Sequence, residues 1–259
     1  MCATCGCSGS AIIEGHEHEH EHEHEHNHEH GHDHQRGHGH EHPETRTVTL
    51  EQAVLARNDG LAELNRKWLA ERGILAVNLM SSPGAGKTTL LERTIRELGA
   101  ELRVSVVEGD QETVLDADRI RATGAPAVQI NTGSGCHLDA QMLASGLQTL
   151  DPPDNSVVLI ENVGNLVCPA LFDLGEQARV VITSVTEGAE KPRKYPQMFR
   201  AADLVLLNKT DLLPYVNFDV DAFLDGARRA NPGVEVLQLS ATSGDGIDGW
   251  YGWLRARLP

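Results

Sequence analysis

The sequence predicts an α/β fold, a mainly parallel sheet with helices on both faces behind a disordered N-terminal tail. Three observations predict it. Seven short, nearly continuous apolar runs begin at Ile74, helical stretches fall between several of them, and residues 1–45 have a composition unlike the rest.

The tail comes first. Residues 1–45 hold 13 of the chain's 14 histidines, three of its five cysteines, ten acids and one arginine, and almost no aliphatic residue after Ile13. Such a segment cannot bury enough apolar surface to offset chain entropy, so no packed structure is expected there. About 210 residues follow, a normal length for one globular α/β domain, so the boundary is placed at 45/46.

Thr49 to about Gly73 has helical spacing, with Leu50, Val54, Leu61, Leu64 and Trp68 as the inward stripe, Thr49 and Gln52 as a capping box and Gly73 as the stop. Asn58-Asp-Gly60 is expected to break it. The strands are read at 74–80, 103–109, 127–131, 156–161, 179–185, 203–208 and 235–240, and the clearest helices between them at Thr88–Leu98, Asp139–Leu150 and Val220–Ala230. Ligands of such folds sit at the carboxyl ends of the strands.

The first strand runs into Ser81-Ser-Pro-Gly-Ala-Gly-Lys-Thr88 and then a helix, the context of a phosphate-binding loop. Ser82, Pro83, Gly84, Ala85, Gly86, Lys87, Thr88 and Thr89 are its candidate phosphate contacts: the glycines let backbone N–H groups curl round oxygens, Lys87 supplies a cation, and Thr88 can hold Mg²⁺. Ser81 stands where a glycine is usual. Asn208-Lys209-Thr210-Asp211 closes a later strand, and the Asp211 carboxylate can accept both N–H groups of the guanine edge, which favours GTP over ATP. Ser240 and Ala241 open a loop whose backbone amides can meet the guanine oxygen. Glu161-Asn-Val-Gly164 places a carboxylate for Mg²⁺ and a glycine N–H for the γ-phosphate, and Asp110 is a second carboxylate or a helix cap. Lys87, Asp110, Glu161 and Gly164 are therefore the catalytic candidates. Asn165, rather than glutamine, follows Gly164, so slow hydrolysis is expected.

Soft ligands form a second set. Cys136-His137 on a loop, with Cys168 as third ligand, suits Ni²⁺ or Zn²⁺ rather than Mg²⁺, and three ligands leave a tetrahedral site for water or a partner subunit to complete. The alternative is two buried thiols and a surface histidine. Cys168 lies four residues past Gly164, so nucleotide state and metal geometry are expected to be coupled. In the tail, Cys2, Cys5 and Cys7 lie within six residues. His16, His18, His20, His22, His24, His26, His28, His30, His32, His34, His38, His40 and His42 form a tract suited to metal buffering, to be weighed against a solvated linker.

The loop 81–88, Glu161-Asn-Val-Gly-Asn-Leu-Val-Cys-Pro169, Asn208–Asp211 and Cys136-His137 together resemble the HypB family, the nickel-incorporation GTPases of hydrogenase maturation. The likeness covers about residues 46–259. It implies a P-loop NTPase of the SIMIBI type, related to signal-recognition and Min proteins, that binds GTP, Mg²⁺ and Ni²⁺, with Zn²⁺ an option at the same site. It also implies a homodimer, delivery of nickel to the precursor of the [NiFe] hydrogenase large subunit, and a companion nickel/zinc maturation protein. Cys2-Ala-Thr-Cys-Gly-Cys7 resembles the family's high-affinity nickel motif. By the same likeness Lys191 and Lys194 reach nucleotide or a second subunit; otherwise they form a solvated face. Two rivals remain: a urease-type nickel accessory GTPase, which is expected to carry Cys-Pro-His, and a metal storage protein with a vestigial GTPase domain.

Composition excludes other classes. The net charge of −16 divides into −9 in the tail and −7 beyond it, with no basic stripe for nucleic acid. No apolar run approaches the roughly 20 residues that span a bilayer, and no secretion signal is visible, so a cytoplasmic location without a membrane partner is expected.

Overall fold

The computed structural model describes residues 43–110 and 115–258. The backbone separates into two units, Met1–Ala53 and Val54–Pro259. Of the first, only helical residues 43–53 are described, and the packing below lies within the second. The tail ligands Cys2, Cys5, Cys7 and His16 to His42, and the expectation of disorder there, lie outside the described residues.

In chain order the elements are α1 (Pro43–Glu71), β1 (Leu75–Ser81), α2 (Lys87–Leu98), β2 (Val104–Asp110), α3 (Leu115–Arg121), β3 (Ala127–Asn131), α4 (Ala140–Leu150), β4 (Val157–Glu161), β5 (Ala178–Ser184), α5 (Lys191–Lys194), α6 (Pro196–Arg200), β6 (Leu204–Asn208), α7 (Val220–Ala230), β7 (Glu235–Gln238) and α8 (Ile247–Arg255). Short 3-10 turns cover Cys168–Ala170 and Thr210–Tyr215. The seven strands form one parallel sheet in the order β3-β2-β4-β1-β5-β6-β7.

Strand alternation sorts the core onto two faces. On one, Leu75, Val77 and Leu79 of β1 meet Leu90 and Leu91 of α2, Ile120 of α3 and Trp250 of α8. On the other, Ala76, Val158 and Ile160 meet Leu69 of α1 and Leu143 of α4, while Met80, Val181 and Val205 meet Phe199 of α6 and Phe223 of α7. Because every strand points the same way, the segments after β1, β2, β3, β4, β6 and β7 leave from one edge. All the predicted ligands outside the tail are on those segments.

The first helix departs from expectation in three ways. It starts at Pro43, so Thr49 and Gln52 lie inside it rather than at its first turn. It runs unbroken through Asn58-Asp-Gly60 because the Asn58 side chain is buried and used: its amide donates to the Asp173 carbonyl at 2.7 Å, and its oxygen accepts the Ala140 N–H at 2.9 Å. The inward stripe is Asn58, Ala62, Asn65 and Leu69, whereas Val54 and Leu64 are exposed. Gly73 does stop the helix, at φ 62°, with Ile74 N–H returning to the Leu69 carbonyl.

Candidate nucleotide and metal sites

The phosphate loop leaves β1 and enters α2 through Gly86, whose φ is 102°. A Cβ there would stand 2.5 Å from Asn208 Nδ2, so glycine is required for space as well as conformation. The Asn208 amide donates to the Ala85 carbonyl at 2.9 Å, and its oxygen accepts the Ala241 N–H at 3.0 Å. One side chain thus fastens the phosphate loop to both guanine segments. Lys209 adds a bond from Nζ to the Gly84 carbonyl at 2.7 Å. Asp211 Oδ1 is shielded from solvent and has no hydrogen-bond partner among the described residues, as suits an acceptor kept for a ligand. Ser240 is fully buried and its hydroxyl accepts the Ser243 N–H at 3.0 Å, which shapes the last loop.

Ser81 occupies the unusual first position with a purpose: its hydroxyl accepts Lys87 Nζ at 2.9 Å and holds the lysine inside the loop. The Ser82 hydroxyl is bonded to the Glu187 carboxylate, which also accepts the Ser184 N–H at 2.9 Å. Thr89 Oγ1 accepts from Arg119 at 3.2 Å.

Thr88 donates to Glu161 Oε1 at 2.8 Å. Glu161 is buried, and burial pushes its carboxyl up to about 7 while Lys87 and Thr88 pull it down. Directly opposite in the sheet register is Glu108 of β2. It is also buried, and burial together with Glu161 and Asp110 pushes it up to about 8. Glu161 Oε2 and Glu108 Oε2 are shielded and have no hydrogen-bond partner among the described residues. Two orphaned carboxylate oxygens beside a threonine hydroxyl are a hard oxygen set, and they fit Mg²⁺. Asp110 ends β2 one residue beyond Gly109.

Gly164 packs on Pro83, where a Cβ would come within 3.1 Å of the proline backbone. The chain then turns through Asn165, whose Oδ1 accepts the Val167 N–H, and reaches Cys168. Cys168 Sγ lies 2.9 Å from Cys136 Sγ, and Cys136 Sγ lies 3.7 Å from His137 Nδ1. The three ligand atoms all fall within 4.8 Å of one another. Both thiols are buried, and the His137 ring stacks on Phe172 at 3.8 Å between centroids. Burial lowers the His137 pKa, opposed by Asp139, which favours the neutral ring that binds metal.

A protein-family model described as "CobW/HypB/UreG, nucleotide-binding domain" matches residues 75–238. The hydrogenase maturation factor HypB of Escherichia coli (strain K12) is 57% identical over 212 residues, which cover 82% of this chain and 73% of that one. The chain belongs to the HypB family. Two solved HypB structures share its fold. That of Archaeoglobus fulgidus has a TM-score of 0.74 and 43% identity, with 79% of this chain and all of that one covered. That of Helicobacter pylori, in complex with nickel, has a TM-score of 0.73 and 36% identity, with 78% and 94% covered.

In this HypB-family chain the sequence motifs fall on loops at one edge of the sheet, and the structure adds side chains between them that the motifs did not include. Glu108, Glu187 and the buried Asn162 were not singled out. Glu108 had a signal, being a carboxylate within an otherwise apolar strand and two residues before Asp110. Glu187 and Asn162 had none, since the contacts that tie them to other loops, with Ser82 and with Leu138, lie far away in sequence. Lys191 and Lys194 sit on α5; Lys194 pairs with Glu190 at 2.7 Å and Lys191 lies over the Tyr195 ring.

Proposed function

We propose that this chain is a GTP-hydrolysing nickel metallochaperone that serves hydrogenase maturation. The carrying observation is the short path between its two sites: Gly164 packs on the phosphate loop, and four residues later Cys168 meets Cys136 at 2.9 Å.

In this reading Lys87 and the amides of 82–88 bind the phosphates, Asp211 selects guanine, and Thr88 with Glu161, Glu108 and Asp110 holds Mg²⁺. When bound, Mg²⁺ neutralises charge on the β- and γ-phosphate oxygens. Gly164 N–H senses the γ-phosphate, and its release on hydrolysis moves the segment that carries Cys168. Hydrolysis is slow in this reading because Asn165, which stands where many GTPases carry a glutamine, turns its Oδ1 onto the Val167 N–H of its own loop. Cys136, His137 and Cys168 hold Ni²⁺ as cargo, and Zn²⁺ fits the same donors. Three ligands leave the ion open to a fourth from water or from a second copy of the chain, so dimerisation accompanies loading. Cys2, Cys5, Cys7 and the histidine tract collect and buffer nickel ahead of that site. The absence of any helix long and apolar enough to cross a membrane among the described residues agrees with work in the cytoplasm beside a hydrogenase large-subunit precursor and a companion maturation protein.

The test is deletion of the gene with and without nickel in the medium. Loss of hydrogenase activity that excess nickel restores is the expected result. Loss of urease alone would turn the proposal to the rival acceptor, and an unchanged hydrogenase would defeat it.

A further inference from the structure

Asn162 follows Glu161 and is 1% exposed. Its side-chain oxygen accepts the Val163 N–H at 2.9 Å and the Leu138 N–H at 3.1 Å. Its amide donates to Asn78 Oδ1 at 3.2 Å, and its own N–H donates to the Leu79 carbonyl at 3.1 Å. The amide is thus gripped at both ends, and turning it would leave a buried N–H unpaired. What it holds is the peptide joining His137 to Leu138, on the loop that carries Cys136.

The Leu138 side chain meets the other carboxylate strand. A Cβ on Gly109 would stand 2.7 Å from Leu138 Cγ, so the buried isobutyl group fills the space over Gly109, on the face of β2 opposite the Glu108 and Asp110 side chains. The Cys136-His137 arm is therefore braced twice. One brace is the residue after Glu161 of β4, and the other lies against the back of β2 at Gly109, the residue that separates Glu108 from Asp110 in sequence. Any rearrangement of those strand ends as they take up Mg²⁺ and the γ-phosphate is passed to the arm through rigid, fully paired contacts.

We infer that Asn162 is a positioning residue that carries nucleotide state to the Cys136-His137 arm of the metal site, by a route separate from Cys168. This rests on the reading above that the nucleotide and metal sites are coupled. Coupling of this kind is reciprocal, so Ni²⁺ changes affinity for the GTP analogue by the same factor that the analogue changes affinity for Ni²⁺.

The experiment uses the full chain carrying Cys2→Ser, Cys5→Ser and Cys7→Ser, so that sulfur-to-nickel charge-transfer absorption reports only Cys136 and Cys168. Ni²⁺ is titrated in the presence of Mg²⁺ with GDP or with a non-hydrolysable GTP analogue. The reference chain should show affinities that differ by about five-fold or more. Asn162→Ala should bring that ratio to within about two-fold of unity, and Asn162→Asp, which keeps an acceptor for Leu138 N–H, should retain it. If the alanine variant does not fold, Asn162→Ser, too short to reach Leu138, takes its place with the same expectation. General loosening would weaken both affinities and leave the ratio unchanged. A ratio that survives in Asn162→Ala or Asn162→Ser overturns the role of Asn162 and leaves the coupling standing. Equal affinities in the reference chain overturn the coupling itself, and this inference with it.

Discussion

Thr88 donates its hydroxyl to Glu161 Oε1 at 2.8 Å across 73 residues of sequence, joining the phosphate loop to the strand that leads into the segment carrying Cys168. The other Glu161 oxygen is shielded and has no hydrogen-bond partner among the described residues. Burial raises the Glu161 carboxyl to about 7 against the pull of Lys87 and Thr88, and a cation on the second oxygen would favour the charged form. Glu161→Gln should therefore leave GDP binding within about three-fold of the parent and weaken Mg²⁺ retention by about 10- to 100-fold. Titrating Mg²⁺ against the release rate of a fluorescent GDP measures both.

Asp211 gives a test of base choice. Guanine offers two N–H donors to its carboxylate, whereas xanthine offers an acceptor at the second position. Asp211→Asn should lower GTP affinity by about 10²-fold or more and let xanthosine triphosphate bind in its place. Competition between the two nucleotides in equilibrium dialysis checks it, and unchanged preference would remove Asp211 from the guanine site.

Asn208 pairs the Ala85 carbonyl and the Ala241 N–H, so Asn208→Ala strands two buried backbone groups. The expected loss is about 2–4 kcal/mol, at about 1–2 kcal/mol for each of the two unsatisfied groups, the lower part of the usual range. Thermal unfolding of the nucleotide-free protein should show a midpoint lower by roughly 5–15 °C, and nucleotide affinity should fall with it.

Asp173 ties α1 to β5. It accepts from Arg66 at 2.7 Å and from the Gly175 N–H at 2.8 Å, and it lies 3.5 Å from Arg179. Burial works against its charge, but these donors outweigh it and hold the carboxyl below its ordinary value. A depressed carboxyl contributes stability above its unfolded pKa of about 4, and that stability is lost as pH falls through the lower folded value. Asp173→Asn should cost about 1 kcal/mol at pH 7, with partial exposure discounting the ion pairs, and should flatten the decline below about pH 4. Urea midpoints from pH 7 to pH 3 measure both effects.

Much of this was legible because buried parallel strands are continuous apolar runs, so Ile74–Met80 and its six successors could each be read without a partner strand. The ligand-bearing loops were legible for a related reason: their chemistry needs particular residue types at fixed spacing from a strand end. What failed depended on partners elsewhere. Asn58, read as part of a break in α1, and Asn65, left out of the expected stripe, each spend the amide on a distant carbonyl, Asn58 on that of Asp173 and Asn65 on those of Ala140 and Leu174, and so the helix buries two asparagines beside Ala62 and Leu69 while Leu64 faces out. Helix α8 was missed because Gly249 and Gly252 lower its propensity, although Trp250 anchors it in the core. Glu108 belongs to the site only through its register with Glu161.

Nickel release in a single turnover is the most direct test of the link between the two sites. The full chain, with Cys2, Cys5 and Cys7 changed to serine, is loaded with Ni²⁺ and mixed with GTP and a competing chelator. Sulfur-to-nickel absorption and phosphate production are then followed together. If hydrolysis drives release, absorption falls in step with phosphate and persists with a non-hydrolysable analogue. Loss of absorption at one rate with GTP, the analogue or no nucleotide would contradict GTP control of the metal site.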